Sequence, residues 1–349
     1  MRPTRTALTL AGLVLLTLLV LPARGQTPGT ARDLRLEGGE RAGSRASAYG
    51  KLHALVIGIN TYASSGVPPL AYAENDAREV ARVLRDLYGF DHVTLLVGRN
   101  ATRDRIIEAL ANLQDRSLVA PDDGVVVYFS GHGQTVPTAS GEQGYLLPFD
   151  AMVKLDDLQN AAPFRRYAIR MDDLRTDADA IPARHVLFLV DACYSGYFSA
   201  KALEQSPEIA NALRYPARQV ITAGTKGERA VEHHAWGHGA FTYKLLERLT
   251  LETDPVSASG LGAWLKQAVP REVAARMPQH SLTPQAKYLS GDGDFYFIRK
   301  GYAFDVRALG RDRPAEAPAG ATLSREYHRR LFEAERLLDE LEREGSGAR

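Results

Sequence analysis

The chain has 349 residues, with 43 basic against 42 acidic side chains, a formal net charge of +1 and 45% apolar residues. That length suits one large domain or two ordinary ones, and the apolar share is enough to bury a core. The charge balance gives no reason to expect nucleic acid or an anionic membrane as partner, and a single cysteine, Cys193, excludes a disulfide framework.

Residues 1–25 read as a signal peptide. Arg2 and Arg5 make a positive start, residues 7–21 are almost wholly apolar but short for a membrane span, and Ala23-Arg24-Gly25 supplies small-x-small before a cut at Gln26. The expected location is therefore exported, periplasmic or secreted, with no stable span after cleavage; the alternative is an uncleaved anchor. Residues 26–50, rich in Gly, Arg, Ala and Ser, read as a disordered linker.

From Lys51 strand and helix alternate. Residues 54–59 form a short continuous apolar run, the mark of a strand covered on both faces. Residues 75–88 are helical, with Ala77, Val80, Ala81, Leu84 and Leu87 on one stripe. Strands follow at 93–97, 125–129, 186–190 and 219–223, and Thr102 is placed to cap a helix carrying Ile106, Ile107, Leu110 and Leu113. Residues 240–249 and 261–275 look helical, and 295–298 a late strand. Such alternation predicts an α/β domain with a mainly parallel central sheet and helices on both faces, whose chemistry sits at the carboxyl ends of the strands. The domain spans 51–301. Residues 302–321 form a Pro/Ala-rich linker, and 322–349 a charged helix with Tyr327, Leu331, Ala334, Leu338 and Leu341 on a short apolar seam.

Two of these strands end in reactive residues. One runs into Ser130-Gly131-His132-Gly133, the other into Asp191-Ala192-Cys193-Tyr194-Ser195-Gly196. In a parallel sheet both endings fall on one edge, and neighbouring strands lie about 5 Å apart. An imidazole beside a thiol is what nucleophilic catalysis by sulfur needs, because the thiolate is the nucleophile and a base must take its proton. The backbone N–H groups of Gly133 and Cys193 are available at the same tips as an oxyanion hole. Taken singly, a Cys after a buried strand is more often a small core residue, and a His at a strand end is often only hydrogen-bonded; the pairing shifts the balance toward catalysis.

Tyr128-Phe129-Ser130-Gly131-His132-Gly133 and Asp191-Ala192-Cys193-Tyr194-Ser195-Gly196 resemble the His and Cys signatures of the caspase and metacaspase superfamily. Residues 54–60 resemble its first strand, Glu74-Asn75-Asp76-Ala77 the metacaspase turn after it, and Gly239-Ala240-Phe241-Thr242-Tyr243 the start of a helix in its small-subunit portion. The resemblance covers about residues 52–299. It implies a caspase-hemoglobinase fold, a Cys193/His132 dyad and hydrolysis of peptide bonds in peptide or protein substrates, with no cofactor required. Tyr194 departs from the His that many metacaspases carry. The metacaspase pocket for the residue before the scissile bond is acidic and accepts Arg or Lys; the matching positions are Asp76 and Asp191, with Ser130 nearby. Two carboxylates at one pocket suit a cation. Read alone, the same aspartates cap a helix or brace the Cys loop. Many metacaspases are activated by calcium, and Asp150, Asp172 and Asp173 resemble three of the ligands; the fourth falls near Ala200 and is missing. Asp172 and Asp173 also suit the start of a helix.

Other patterns are weaker. His233, His234 and His238 are loosely spaced for zinc and fit a substrate-side loop. Asp292-Gly293-Asp294 reads as a turn, and Lys201, Arg214 and Arg218 as self-cleavage sites in a flexible stretch after the Cys loop. An inactive scaffold of the same fold, or a clan relative with legumain- or gingipain-like specificity, are the competing readings.

Overall fold

A computed structural model describes residues 43–44, 48–139, 141–192, 209–225 and 228–304. The expected signal peptide, most of the linker after it, the Pro/Ala-rich segment beyond Phe304 and the charged helix lie outside the described residues. No helix among the described residues is long and apolar enough to cross a membrane.

In chain order the main elements are β1 (Leu52–Gly58), α1 (Ala73–Asp86), β2 (His92–Val97), α2 (Arg103–Gln114), β3 (Gly124–Ser130), β4 (Gly133–Thr138), β5 (Gly141–Leu146), α3 (Ala161–Tyr167), β6 (Ile169–Arg170) and α4 (Met171–Ala180). They continue with β7 (His185–Asp191), α5 (Ile209–Arg214), β8 (Ala217–Thr222), β9 (Glu232–His233), β10 (His238–Gly239), α6 (Ala240–Leu251), α7 (Ala258–Arg276) and β11 (Gln285–Gly291). The six-stranded sheet has the order β11-β8-β7-β3-β1-β2. Its strands are parallel, except β11, which closes the edge antiparallel to β8.

β1, β3 and β7 are buried along their whole length, as continuous apolar runs require when helices cover both faces. Successive side chains point to opposite faces, so each strand feeds two cores. Val56, Tyr128, Leu189 and Ile221 pack with α1, α6 and α7 through Val80, Leu84, Phe241, Leu245 and Leu265. Ile57, Val127, Phe188 and Val190 pack with α2 and α4 through Ile106, Leu110 and Leu174. Thr102 caps α2 as expected, its side chain accepting from Arg105 N.

Three features go beyond the sequence reading. The β4–β5 hairpin, with β6 added at its side, forms a separate antiparallel sheet directly after His132. The strand expected at 295–298 is a short one, Tyr296–Phe297, paired with Val256–Ser257 outside the central sheet. Asp294, at the end of the expected turn, is buried: it accepts from Gln219 Nε2, Ser259 N and Ser259 Oγ.

Pairing and burial also reach residues outside 51–301. Gly43–Ser44 pairs with Ala303–Phe304, and Tyr49, assigned to the linker, is 2% exposed. Tyr296 N donates to Tyr49 Oη at 2.9 Å, and Tyr49 Oη lies 3.0 Å from His185 Nδ1. His185 Nε2 lies 2.9 Å from Tyr215 O. A carbonyl only accepts, so Nε2 carries the ring proton and Nδ1 accepts from the phenol. One aromatic side chain thus ties the segment before β1 to β7 and the C-terminal bridge, which composition alone does not disclose.

Burial pushes the His185 ring down to about 4. The unfolded chain takes up its proton near pH 6.5, whereas the folded chain refuses it until about pH 4, so stability falls as pH drops through that window. His185→Gln removes the titration, and unfolding by urea at pH 7 and pH 4.5 is expected to show a loss on acidification smaller than wild type by on the order of 3 kcal/mol.

Candidate active site

β3 and β7 are adjacent and in register from Gly124↔His185 to Ser130↔Asp191. The strand that leads to His132 therefore ends beside the strand that leads to Cys193. Cys193 itself, and with it the oxyanion role of its N–H, lies outside the described residues. Gly133 opens β4, paired with Leu146.

His132 is held on three sides. Its N–H donates to Tyr62 Oη at 2.7 Å, the Tyr62 ring sits 5.3 Å from the imidazole, and its carbonyl accepts from Leu147 N at 3.0 Å. Nε2 lies 2.9 Å from Pro68 O, so Nε2 must be the protonated nitrogen and Nδ1 holds the lone pair. Partial burial lowers the basicity of the ring; the Pro68 carbonyl opposes that and the Arg229 charge adds to it. The ring is therefore neutral near pH 7 and able to accept a proton at Nδ1.

Beside it the structure gathers all three residues assigned to the acidic pocket. Asp76 (first turn of α1), Ser130 (end of β3) and Asp191 (end of β7) are 1%, 3% and 3% exposed. Asp76 Oδ2 accepts from Ser130 Oγ at 3.3 Å and Gly239 N at 3.2 Å, and Asp76 Oδ1 lies 2.7 Å from His238 Nδ1. Asp191 Oδ2 accepts from Thr242 N at 3.2 Å and Thr242 Oγ1 at 2.6 Å; that hydroxyl in turn lies 2.6 Å from Tyr128 Oη. Gly239 is demanded by proximity: a Cβ there would stand 2.7 Å from Asp191 Oδ2. Burial first, then the Asp76 charge, pushes the Asp191 carboxyl up to about 7.

Tyr62, Pro68, His238 and Thr242 were not singled out from sequence as site residues. Thr242 lies inside the motif that opens α6, and His238 was grouped with His233 and His234. The three separate in space by role. His233 and His234 stack at 4.3 Å on the β9–β10 hairpin, and His233 Nδ1 accepts from Ala235 N. His238 turns inward to Asp76.

The calcium ligands do not come together. Asp150 Oδ1 accepts from Arg103 N at the start of α2. Asp172 and Asp173 occupy the first turn of α4 and face Arg170 at 3.7 and 3.9 Å. Among the described residues no group of three or more His, Cys, Asp or Glu side chains is placed to hold a metal ion. Of the self-cleavage positions, Lys201 lies outside the described residues and Arg214 ends α5 exposed. Arg218 is corrected: it is a strand residue whose guanidinium donates to Ala178 O, Ile181 O and Arg184 O, which holds it in the sheet rather than in a loop.

The raised Asp191 carboxyl has a stability consequence. The unfolded chain releases this proton near pH 4 and the folded chain near 7, so the folded state loses stability as pH rises through that interval and carries the full penalty above it. Asp191→Asn is expected to raise the melting temperature at pH 8, by on the order of a few kcal/mol in unfolding free energy, and to leave it unchanged at pH 4. Thermal unfolding at the two pH values checks this.

A caspase domain family model matches residues 51–289. Among curated proteins, Metacaspase-4 of Arabidopsis thaliana is 29% identical over 163 residues, which are 44% of this chain and 36% of that protein. Metacaspase-1 of Scheffersomyces stipitis is 27% identical over 187 residues, 47% of this chain and 42% of that protein. The match thus spans less than half the length of these relatives. Among solved structures, Caspase-1 of Spodoptera frugiperda aligns at 14% identity and a TM-score of 0.47, covering 70% of this chain and 86% of that one. A Geobacter sulfurreducens protein aligns at 21% identity and 0.46, covering 76% and 98%. The family match over most of the chain, on a sheet whose strand ends carry the His and acidic residues just described, makes this chain a member of the caspase family of cysteine peptidases, which act on peptide or protein substrates.

Proposed function

We propose that this chain is a cysteine endopeptidase that cuts after Arg or Lys, with Cys193 as nucleophile and His132 as base. The observation that carries the reading is the convergence of Asp76, Ser130 and Asp191, all buried, at the ends of the strands leading to His132 and Cys193. A buried pair of carboxylates is costly unless a cation is to be received there.

The residues divide the work as follows. His132 Nδ1 takes the Cys193 thiol proton while Pro68 O holds the ring through Nε2–H. The thiolate attacks the scissile carbonyl carbon, an S–C bond forms, and the oxyanion is stabilised by the N–H groups of Gly133 and Cys193. The C–N bond then breaks as the imidazolium returns its proton to the leaving amine. Water, deprotonated by the same imidazole, hydrolyses the thioester to a carboxylic acid and restores the thiol. No cofactor takes part. An Asp side chain before the scissile bond would add a third carboxylate to the pocket, where like charges are costly.

The test is a peptide-library digest by residues 26–349, with and without calcium. Cleavage is expected after Arg or Lys and not after Asp or Asn. Cleavage after Asn alone would favour legumain-like specificity; after Asp, the acidic pocket would be the wrong reading. Cys193→Ala and His132→Ala are expected to lose at least about a thousandfold in kcat/KM with the fold retained. A Cys193→Ala protein that kept more than a few per cent of turnover would remove the nucleophile from this role.

For location, we read residues 1–25 as a leader removed on export. N-terminal sequencing of the native protein is expected to begin at Gln26; a chain still starting at Met1 would support the anchored form.

A further inference from the structure

Asp76 and Asp191 look equivalent in sequence, yet their surroundings differ in kind. Asp76 is spent inside the protein. Its Oδ1 faces His238 Nδ1 at 2.7 Å, and its Oδ2 takes Gly239 N and Ser130 Oγ. His238, 6% exposed, is carried into the interior by the β9–β10 hairpin. That hairpin is fastened to the chain just before α1: Glu232 accepts from Ala71 N at 2.9 Å and Tyr72 N at 3.0 Å, and Asn75 Nδ2 donates to Gly237 O at 3.1 Å. Asp191 is satisfied on one oxygen only. Both donors from Thr242 fall on Oδ2, and among the described residues Oδ1 accepts no hydrogen bond.

We propose that His238 is the specificity-setting residue of this pocket: it serves as the internal partner of Asp76, leaving Asp191 as the carboxylate that gives up a proton to solvent when a substrate's guanidinium or ammonium enters. This rests on the reading that the pocket receives Arg or Lys, and adds to it an unequal division of labour and a proton.

The charges support the exchange. Among the described residues, Tyr128 from β3 and Glu232 from the hairpin act on the two aspartates. Around Asp191 the described neighbours are anionic or neutral, with Asp76 and Glu232 both disfavouring its ionised form. A buried site tolerates little net charge. With no cation present, burial and these two carboxylates favour the protonated form of Asp191. A cation entering beside Asp191 favours its carboxylate form instead, and the proton leaves. The balance is one cation bound, one O–H bond broken at Asp191, and one proton delivered to water.

Benzamidine, an amidinium with no scissile bond, probes the pocket without the nucleophile. Titration calorimetry of the intact chain in phosphate and in Tris, at several pH values from 6 to 8.5, reads the protons released per ligand bound. Close to one proton is expected at pH 6 and close to none at pH 8.5, with Kd weakening about tenfold per pH unit on the acid side. His238→Gln keeps a donor for Asp76 but carries no charge. In that variant the carboxylates hold their proton more tightly, and the midpoint of release is expected to rise by about one pH unit or more. Asp191→Asn is expected to release no proton and to bind at least about tenfold more weakly at pH 8.5.

Benzamidine binding to wild type without proton release would overturn the exchange, and a His238→Gln profile superimposable on wild type would overturn the role of His238. In either case, Arg or Lys cleavage in the library digest would show that the specificity reading itself survives. No benzamidine binding at any pH, joined to a digest that ignores Arg and Lys, would overturn both.

Discussion

The parallel pairing of β3 with β7 is the constraint on which the site depends. Its register sets Ser130 against Asp191, and with it the relation between the strand that ends in His132 and the strand that ends before Cys193. Strand side chains alternate between faces, so a slip by one residue would exchange the two faces of a strand. Val56, Tyr128 and Leu189 would then leave the layer under α1 and α6, and Ile57, Val127 and Phe188 the layer under α2 and α4. Two apolar layers, one on each side, thus hold the register against slippage. The chemistry at the strand ends inherits that precision.

The buried carboxylates Asp76 and Asp191 are a stability cost. Asp191 has its carboxyl pushed up to about 7 by burial and by Asp76, which means the folded state resists its charge. The protein compensates locally. Thr242 supplies two donors, Gly239 leaves room by lacking a Cβ, and His238 sits against the second carboxylate. These three residues come from the hairpin and the first turn of α6, so one short stretch of chain completes a site begun by α1, β3 and β7. His132 is treated differently. It is braced through its backbone and Nε2, and Nδ1 keeps the lone pair.

The same separation of roles governs the other ionisable groups. His185 is buried and neutral between a phenol and a carbonyl, and works as a structural joint. Asp294 fastens the C-terminal bridge to β8 and α7 through Gln219 and Ser259. Asp150, Asp172 and Asp173 serve helix starts. In each case the neighbours, rather than the residue type, decide whether a carboxylate or imidazole braces the fold or faces a ligand.

The sequence by itself determined the sheet strands, the two strand-end motifs, the helices that cover the sheet and the family, because apolar runs of strand length and helical stripes are local patterns that burial on two faces imposes directly. It also located Asp76, Ser130 and Asp191 as one group, through motifs rather than through any contact. What only the tertiary structure decided are relations between distant segments. The pairing of Tyr49 with His185 and Tyr296 spans most of the chain, and nothing in a Gly/Ser-rich stretch marks one tyrosine as core. The β4–β5 hairpin mixes Gly and polar residues with a few apolar ones, Val136, Tyr145 and Leu146, whose pairing depends on tertiary context. His238 could not be told from His233 and His234 by spacing, because a hairpin register, not a local motif, sends one ring inward to Asp76 and leaves the other two stacked together. The inequality of the two pocket aspartates arises in the same way: hydrogen-bond partners are chosen by how the layers pack, and that choice is made only once the chain has folded.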